Sequence, residues 1–228
     1  SYQWYSNTTN NTSTGSLIPN ATDSTYTPPT SSVGTTYYYC IITQTGSGCS
    51  VTSAITEVIV VAAPNFTTQP VSSTVCIGGT PTLLSVAFAN GTGTPNYQWY
   101  ENTVNSTIGG QLSQGETNSY YQPLALAVDT TYYYCVITFT SGGCSNITSA
   151  IASVIVNPDP TITTQPISTQ SVCLGGSIPN ALSVNYSGGA GTASYQWYSN
   201  ASPINSGGNI INGATSNTYM PAAFTSTG

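Results

Sequence analysis

The side chains able to do chemistry here are six cysteines and six carboxylates, in a 228-residue chain without lysine, arginine or histidine. A thiol becomes a nucleophile when a neighbouring base or cation holds it as thiolate. No imidazole or amine side chain is present for that task, nor for general base catalysis, Schiff-base formation or imidazole ligation of a metal. The sequence therefore predicts no enzyme, no catalytic residue and no cofactor. No cysteine pair has the two-to-four-residue spacing of a zinc knuckle. Calcium takes six to eight oxygens, and the stretches that read as linkers offer only Glu57 or Asp159. Asp23, Glu57, Glu101, Glu116, Asp129 and Asp159 stand singly and read as solvated surface groups. With a net charge of −6 and no cation, the chain cannot neutralise phosphates or an anionic leaflet, which excludes nucleic acid. Its longest apolar run, Val58 to Ala63, is far short of the roughly 20 residues of a spanning helix, so no membrane insertion is expected.

The remaining chemistry of the thiols is oxidation. They fall into three classes: an early pair (Cys76, Cys173), a pair in an aromatic strand (Cys40, Cys135), and a pair after a glycine turn (Cys49, Cys144). Cysteines in a polar, histidine-free chain favour an oxidising, extracytoplasmic compartment, and at least one disulfide is expected. Three per unit is an odd number, so one thiol is left over or pairs elsewhere. Cys76 with Cys135 would be an antibody-like bridge beside Trp99, but Cys76 reads as the entrance of strand B rather than its middle. Cys135 with Cys144 would close a hairpin and needs a bulged loop. Cys76 with Cys144 is awkward if the two sit at opposite poles. All three pairings stay open.

The elements that carry these residues repeat. Tyr2-Gln3-Trp4-Tyr5 recurs at Tyr97 to Tyr100 and at Tyr195 to Tyr198, in steps of 95 and 98 residues. Thr36-Tyr37-Tyr38-Tyr39-Cys40 returns at Thr131 to Cys135, Gly48-Cys49-Ser50 at Gly143 to Ser145, and Val75-Cys76-Ile77-Gly78-Gly79 at Val172 to Gly176. Proline following an apolar strand pattern marks boundaries at Pro64 and Pro158. The organisation is one complete repeat, 64–157, between a partial repeat 1–63 carrying strands C to G and a partial repeat 158–228 carrying strands A to E.

Inside the complete repeat a two-residue period dominates, as in Leu84, Val86 and Phe88 or Tyr133, Cys135 and Ile137. Short strands with glycine turns, a tryptophan in an early strand and a tyrosine two residues before a strand cysteine predict an all-β chain of tandem immunoglobulin-like sandwiches. Trp99 and Tyr133, with Trp4 and Trp197 in the partial repeats, are the expected core aromatics, Tyr133 as a corner tyrosine. No helix longer than two turns is expected.

In order and period these motifs, together with Ala152-Ser153-Val154-Ile155-Val156-Asn157-Pro158, resemble the repeats of giant Bacteroidetes surface adhesins, in particular the SprB-like gliding-motility adhesins of flavobacteria. The resemblance runs through all three units. It implies an extracellular, outer-membrane-associated filament exported by type IX secretion and moved by the gliding machinery, with neighbouring repeats and surface polysaccharide or substratum as partners. It also raises the pairing of Cys76 with Cys144, whose equivalents such relatives often keep without the strand F cysteine. Asp23-Ser24-Thr25 and Asp129-Thr130-Thr131 resemble the Bacteroidetes O-glycosylation acceptor, which would place glycans on Ser24 and Thr130; for Asp129 a turn-capping role competes.

The reading is thus a structural and adhesive shaft of a cell-surface filament, gliding motility included. One competitor is a carbohydrate-binding module that stacks exposed tyrosines on sugars; another is a filament subunit assembled by strand complementation. Because the first unit begins at strand C and the last stops before strand F, the 228 residues are expected to be a window of a longer chain.

Overall fold

The computed structural model describes residues 1–223. Among them there is no helix; the chain is all-β. The first repeat supplies β1 (Tyr2–Asn7), β2 (Ser16–Leu17), β3 (Gly34–Thr43), β4 (Ser50–Thr52) and β5 (Thr56–Val60). The complete repeat supplies β6 (Asn65–Thr68), β7 (Ser73–Cys76), β8 (Leu84–Ser85), β9 (Ala87–Ala89), β10 (Pro95–Asn102), β11 (Gln111–Leu112), β12 (Tyr120–Tyr121), β13 (Asp129–Phe139), β14 (Ile147–Thr148) and β15 (Ala152–Asn157). The last repeat holds β16 (Thr161–Thr164), β17 (Leu182–Ser183), β18 (Asn185–Ser187), β19 (Tyr198–Ser199), β20 (Asn209–Ile210) and β21 (Thr218–Tyr219).

Contacts group the chain into two compact units, one of residues 1–68, 87–96 and 137–147, the other of residues 69–86, 97–136 and 148–228. In the first, β2, β1, β3 and β4 lie in that order, with β5 also on β3 and Trp4 directly opposite Cys40. Tyr38, Tyr39 and Cys40 are buried, while Trp4 is half-buried, touching Tyr26 at 6.0 Å between ring centroids.

The strands of residues 64–157 build an immunoglobulin-like sandwich. One sheet runs β11-β10-β13-β15-β7, the C′-C-F-G face of that fold extended by a first strand, and β7 joins β15 in parallel. β8 and β12 form a separate antiparallel pair in the strand B and strand E positions, Tyr121 opposite Leu84. Between these layers Trp99, Leu84 and Cys135 are fully buried and Val86, Tyr133, Val154 and Val156 nearly so. Trp99 lies 6.1 Å from the Tyr121 ring, which meets Tyr133 edge-on at 5.5 Å.

Strand B differs from the sequence-based placement. Cys76 does not enter strand B: it ends β7, with Asn157 of β15 as its register partner. The Gly78-Gly79 turn and the prolines beyond it separate β7 from β8, and the strand B core positions are taken by Leu84 and Val86. An antibody-like bridge to Cys135 therefore has no cysteine at its strand B end.

Candidate functional site: repeat motifs and linker junctions

The Tyr-Gln-Trp-Tyr motif is a structural device used three times. The indole N–H of Trp99 donates to Asn118 O at 2.9 Å, that of Trp4 to Asp23 O at 3.0 Å and that of Trp197 to Ser216 O at 2.8 Å. A buried indole needs such an acceptor. The neighbouring glutamine amide ties the same strand to the chain returning from C′: Gln98 Nε2 donates to Trp99 O and Ser113 O, Gln3 to Trp4 O and Ile18 O, Gln196 to Trp197 O and Ile211 O. Trp197 is half-buried, like Trp4.

The last tyrosine of the motif stacks on strand F. Tyr100 and Tyr134 lie parallel with centroids 5.1 Å apart, and Tyr5 and Tyr39 repeat the pair at 5.2 Å. Tyr134 Oη donates to Thr107 O and Tyr39 Oη to Thr12 O, both at 2.9 Å, which ties each loop after strand C onto the rings. Gly110 lies against Tyr134 because a Cβ there would come within 2.5 Å of the phenol oxygen. Tyr134 is only 5% exposed, so this pair is a clamp rather than an open platform for sugar stacking. Tyr133 faces Tyr121 in the main core, and Tyr134 beside it belongs to this second, smaller aromatic cluster.

The Thr-Ser-Ala triplets of strand G have an equally local task. Where the strand breaks between β14 and β15, the Cys135 N–H donates to Ser149 Oγ at 2.9 Å, and Ser149 N–H returns a bond to Cys135 O. Ser53 serves Cys40 in the same way. A serine hydroxyl thus replaces a ladder carbonyl opposite the strand F cysteine.

All six cysteines are free thiols in this structure. Cys40 and Cys135 are buried, and burial pushes the Cys135 thiol up to about 11. Tyr133 is likewise raised to about 12, chiefly by burial. Cys76 and Cys144 are half-buried, whereas Cys49 and Cys173 are exposed. Ser24 is exposed on a loop and open to modification. Thr130 is half-buried in β13 opposite Ile155, and its N–H donates to Asp129 Oδ1 at 2.7 Å. The described residues contain no cluster of three or more acidic or cysteine side chains arranged for a metal.

Each linker is pinned by the same bond. Gly91 N–H donates to Ala62 O at 2.9 Å within the first unit, and Gly189 N–H to Pro158 O at 2.8 Å within the second. Gly91 and Gly189 both have positive φ and both lie in the strand B to C loop. The second junction adds Asn157 Nδ2 to Gly189 O at 2.7 Å. A groove opens beside each: one of 520 Å³ lined by Val58, Val61, Pro64, Thr92 and Cys144, and one of 470 Å³ lined by Cys76, Pro160, Tyr186 and Gly188 to Gln196.

A family model described as "Domain of unknown function (DUF8696)" matches residues 66–158, the span from β6 to β15. No curated protein matches the chain. Among solved structures it is similar to the I-band fragment I67–I69 of titin, at 13% identity and a TM-score of 0.44, covering 88% of this chain and 74% of that one. Sidekick-1 immunoglobulin domains 1–5 match at 15% identity and 0.41, over 82% of this chain, and Drosophila OTK extracellular domains 3–5 at 18% and 0.41, over 67%. The chain spans 40% and 48% of those two.

Proposed function

We propose that this chain is part of a structural and adhesive extracellular shaft built of tandem immunoglobulin-like repeats, with repeats at 1–63, 64–157 and 158–228. The observation that carries it is the linker bond. The same glycine N–H of a strand B to C loop grips the same carbonyl of the preceding linker at both junctions, as a chain that must hold successive repeats at a fixed spacing requires. The motifs that might have formed a ligand site are used inside the repeats, in indole anchoring, tyrosine clamping and strand closure. Repeats then set length, and short proline linkers limit bending.

The finer reading is a cell-surface filament of the gliding-motility type, exported by type IX secretion, with Ser24 as the accessible glycan acceptor. Its partners are neighbouring repeats, the gliding and secretion machinery, and surface polysaccharide or substratum. It rests on the motif resemblance. Antibody raised against residues 64–157 should label intact, unpermeabilised cells of the source organism, and label should be lost when the type IX pathway is disabled. Label confined to permeabilised cells contradicts the extracellular shaft; surface label that persists without the pathway contradicts only the export route.

A further inference from the structure

Two of the three cysteines of each repeat lie at its linker junctions, and we propose that they form a disulfide between successive repeats: the β7 cysteine of one repeat with the glycine-turn cysteine of the next. The inference rests on the tandem-array reading above.

Within one repeat the two thiols are far apart along the sheet. Cys76 pairs with Asn157, whose neighbour Val156 faces Asp129, the first residue of β13. Cys144 follows Phe139, the last residue of that strand. Ten residues of strand rise about 33 Å, whereas bridged Cα atoms lie about 4.4–6.8 Å apart. Each thiol instead lies at a linker junction. Cys144 Sγ accepts the N–H of Thr92 in its own repeat at 3.3 Å, one residue beyond Gly91, the glycine that grips the preceding linker, and it lines the groove that Val58 and Val61 of the preceding repeat also line. Cys76 lies beside Asn157, which holds Gly189 of the following repeat, and it lines the groove formed by that repeat's strand B to C loop.

Gly91 and Gly189 are equivalent, as are Val61 and Asn157, the residues that precede the two linkers. Placing one junction on the other brings a β7 cysteine and a glycine-turn cysteine to the same loop from either side. Neither junction in this chain carries both. The first has Cys144 but no β7 cysteine before it, and the second has Cys76 but no glycine-turn cysteine after Cys173. The exposures agree: Cys76 and Cys144, each with a neighbouring repeat beside it, are half-covered. The count of three per repeat then closes, because the third thiol, Cys135, is the buried core residue.

Formation is a two-electron oxidation. The two thiols lose two protons and two electrons as the S–S bond forms, and the acceptor is the disulfide of an extracytoplasmic dithiol oxidant. That oxidant leaves as a dithiol after a mixed-disulfide intermediate.

The test is disulfide mapping of the protein isolated from its source without reductant, alkylated in denaturant and cut with chymotrypsin, since the chain has no Lys or Arg for trypsin. The expected product joins the Cys76 peptide to a Gly-Cys-Ser-type peptide of the repeat that follows it. A Cys76–Cys144 peptide from one repeat, or alkylated Cys76 and Cys144 without prior reduction, overturns the bridge. Finding both alkylated in a protein whose flanking peptides still show the repeat leaves the array standing; absence of flanking repeats refutes the array itself. A second arm uses the 228-residue chain. Val61→Cys places a thiol at the equivalent of Asn157, one strand from the missing cysteine and on the groove that holds Cys144. In a glutathione redox buffer V61C should lose two free thiols and bridge to Cys144; a thiol at 61 that stays free contradicts the placement.

Discussion

Replacing Ser149 by alanine isolates the small device that closes strand G against strand F. The Cys135 N–H, on a residue with no exposed surface, loses the Ser149 Oγ acceptor 2.9 Å away and has no water to turn to. A buried donor left without a partner costs about 1–3 kcal/mol, so the expected loss is about 2 kcal/mol. The returning bond from Ser149 N–H to Cys135 O survives the change, which keeps the strand in place. With a urea m-value of about 1.3 kcal/mol/M, reasonable for one repeat, the midpoint should fall by about 1.5 M. The assay is urea unfolding of the 228-residue chain followed by fluorescence of Trp99, the fully buried indole, with Trp4 and Trp197 changed to phenylalanine in both proteins. Ser149→Thr keeps the hydroxyl and should stay within about 0.5 kcal/mol of the parent, the usual scatter of a mild substitution. A loss below about 0.5 kcal/mol for Ser149→Ala, or equal losses for alanine and threonine, would refute the argument that the hydroxyl stands in for a ladder carbonyl.

Trp99→Ala should cost about 3–5 kcal/mol in urea unfolding of the otherwise unchanged chain followed by far-ultraviolet circular dichroism, while Trp4→Ala and Trp197→Ala, at half-buried sites, should each cost clearly less. Cys135 and Tyr133 are acids raised from ordinary values of 9.0 and 10.0 to about 11 and about 12, so the unfolded chain ionises first. Their stabilising effect is therefore complete below pH 9.0 and is lost as pH rises through about 12, which a series of urea midpoints across that range will show. Ser113 Oγ is buried without a partner at the position that Ile18 and Ile211 occupy in the other repeats; Ser113→Ala should raise stability by about 1 kcal/mol, measured by thermal unfolding.

Much of the fold was legible because its signals are local and repeated. The alternation of Tyr133, Cys135 and Ile137 and the recurring tryptophan announce a sheet packed on one face. The outer tyrosine clamp was less legible, since Tyr100, Gly110 and the loop carbonyl of Thr107 that surround Tyr134 are all distant from it in the sequence. Cys76 was misplaced for a related reason. The first strand of the sheet pairs in parallel with the last, a contact between residues 81 apart that no short-range pattern encodes. The role of Ser149 could have been suspected from the repeated Thr-Ser-Ala triplet, but a serine in a polar chain carries no sign of which amide it serves.

If the repeat is the mechanical unit of a shaft, force extension of the 228-residue chain held at its two ends will show it. Cooperative unfolding of the complete repeat frees about 95 residues, worth about 320 Å of extended chain less about 40 Å of folded length, a step of about 280 Å. The prediction is one such step in each trace, absent in Trp99→Ala. Smooth extension without a step, or steps whose lengths do not correspond to one repeat, would contradict it.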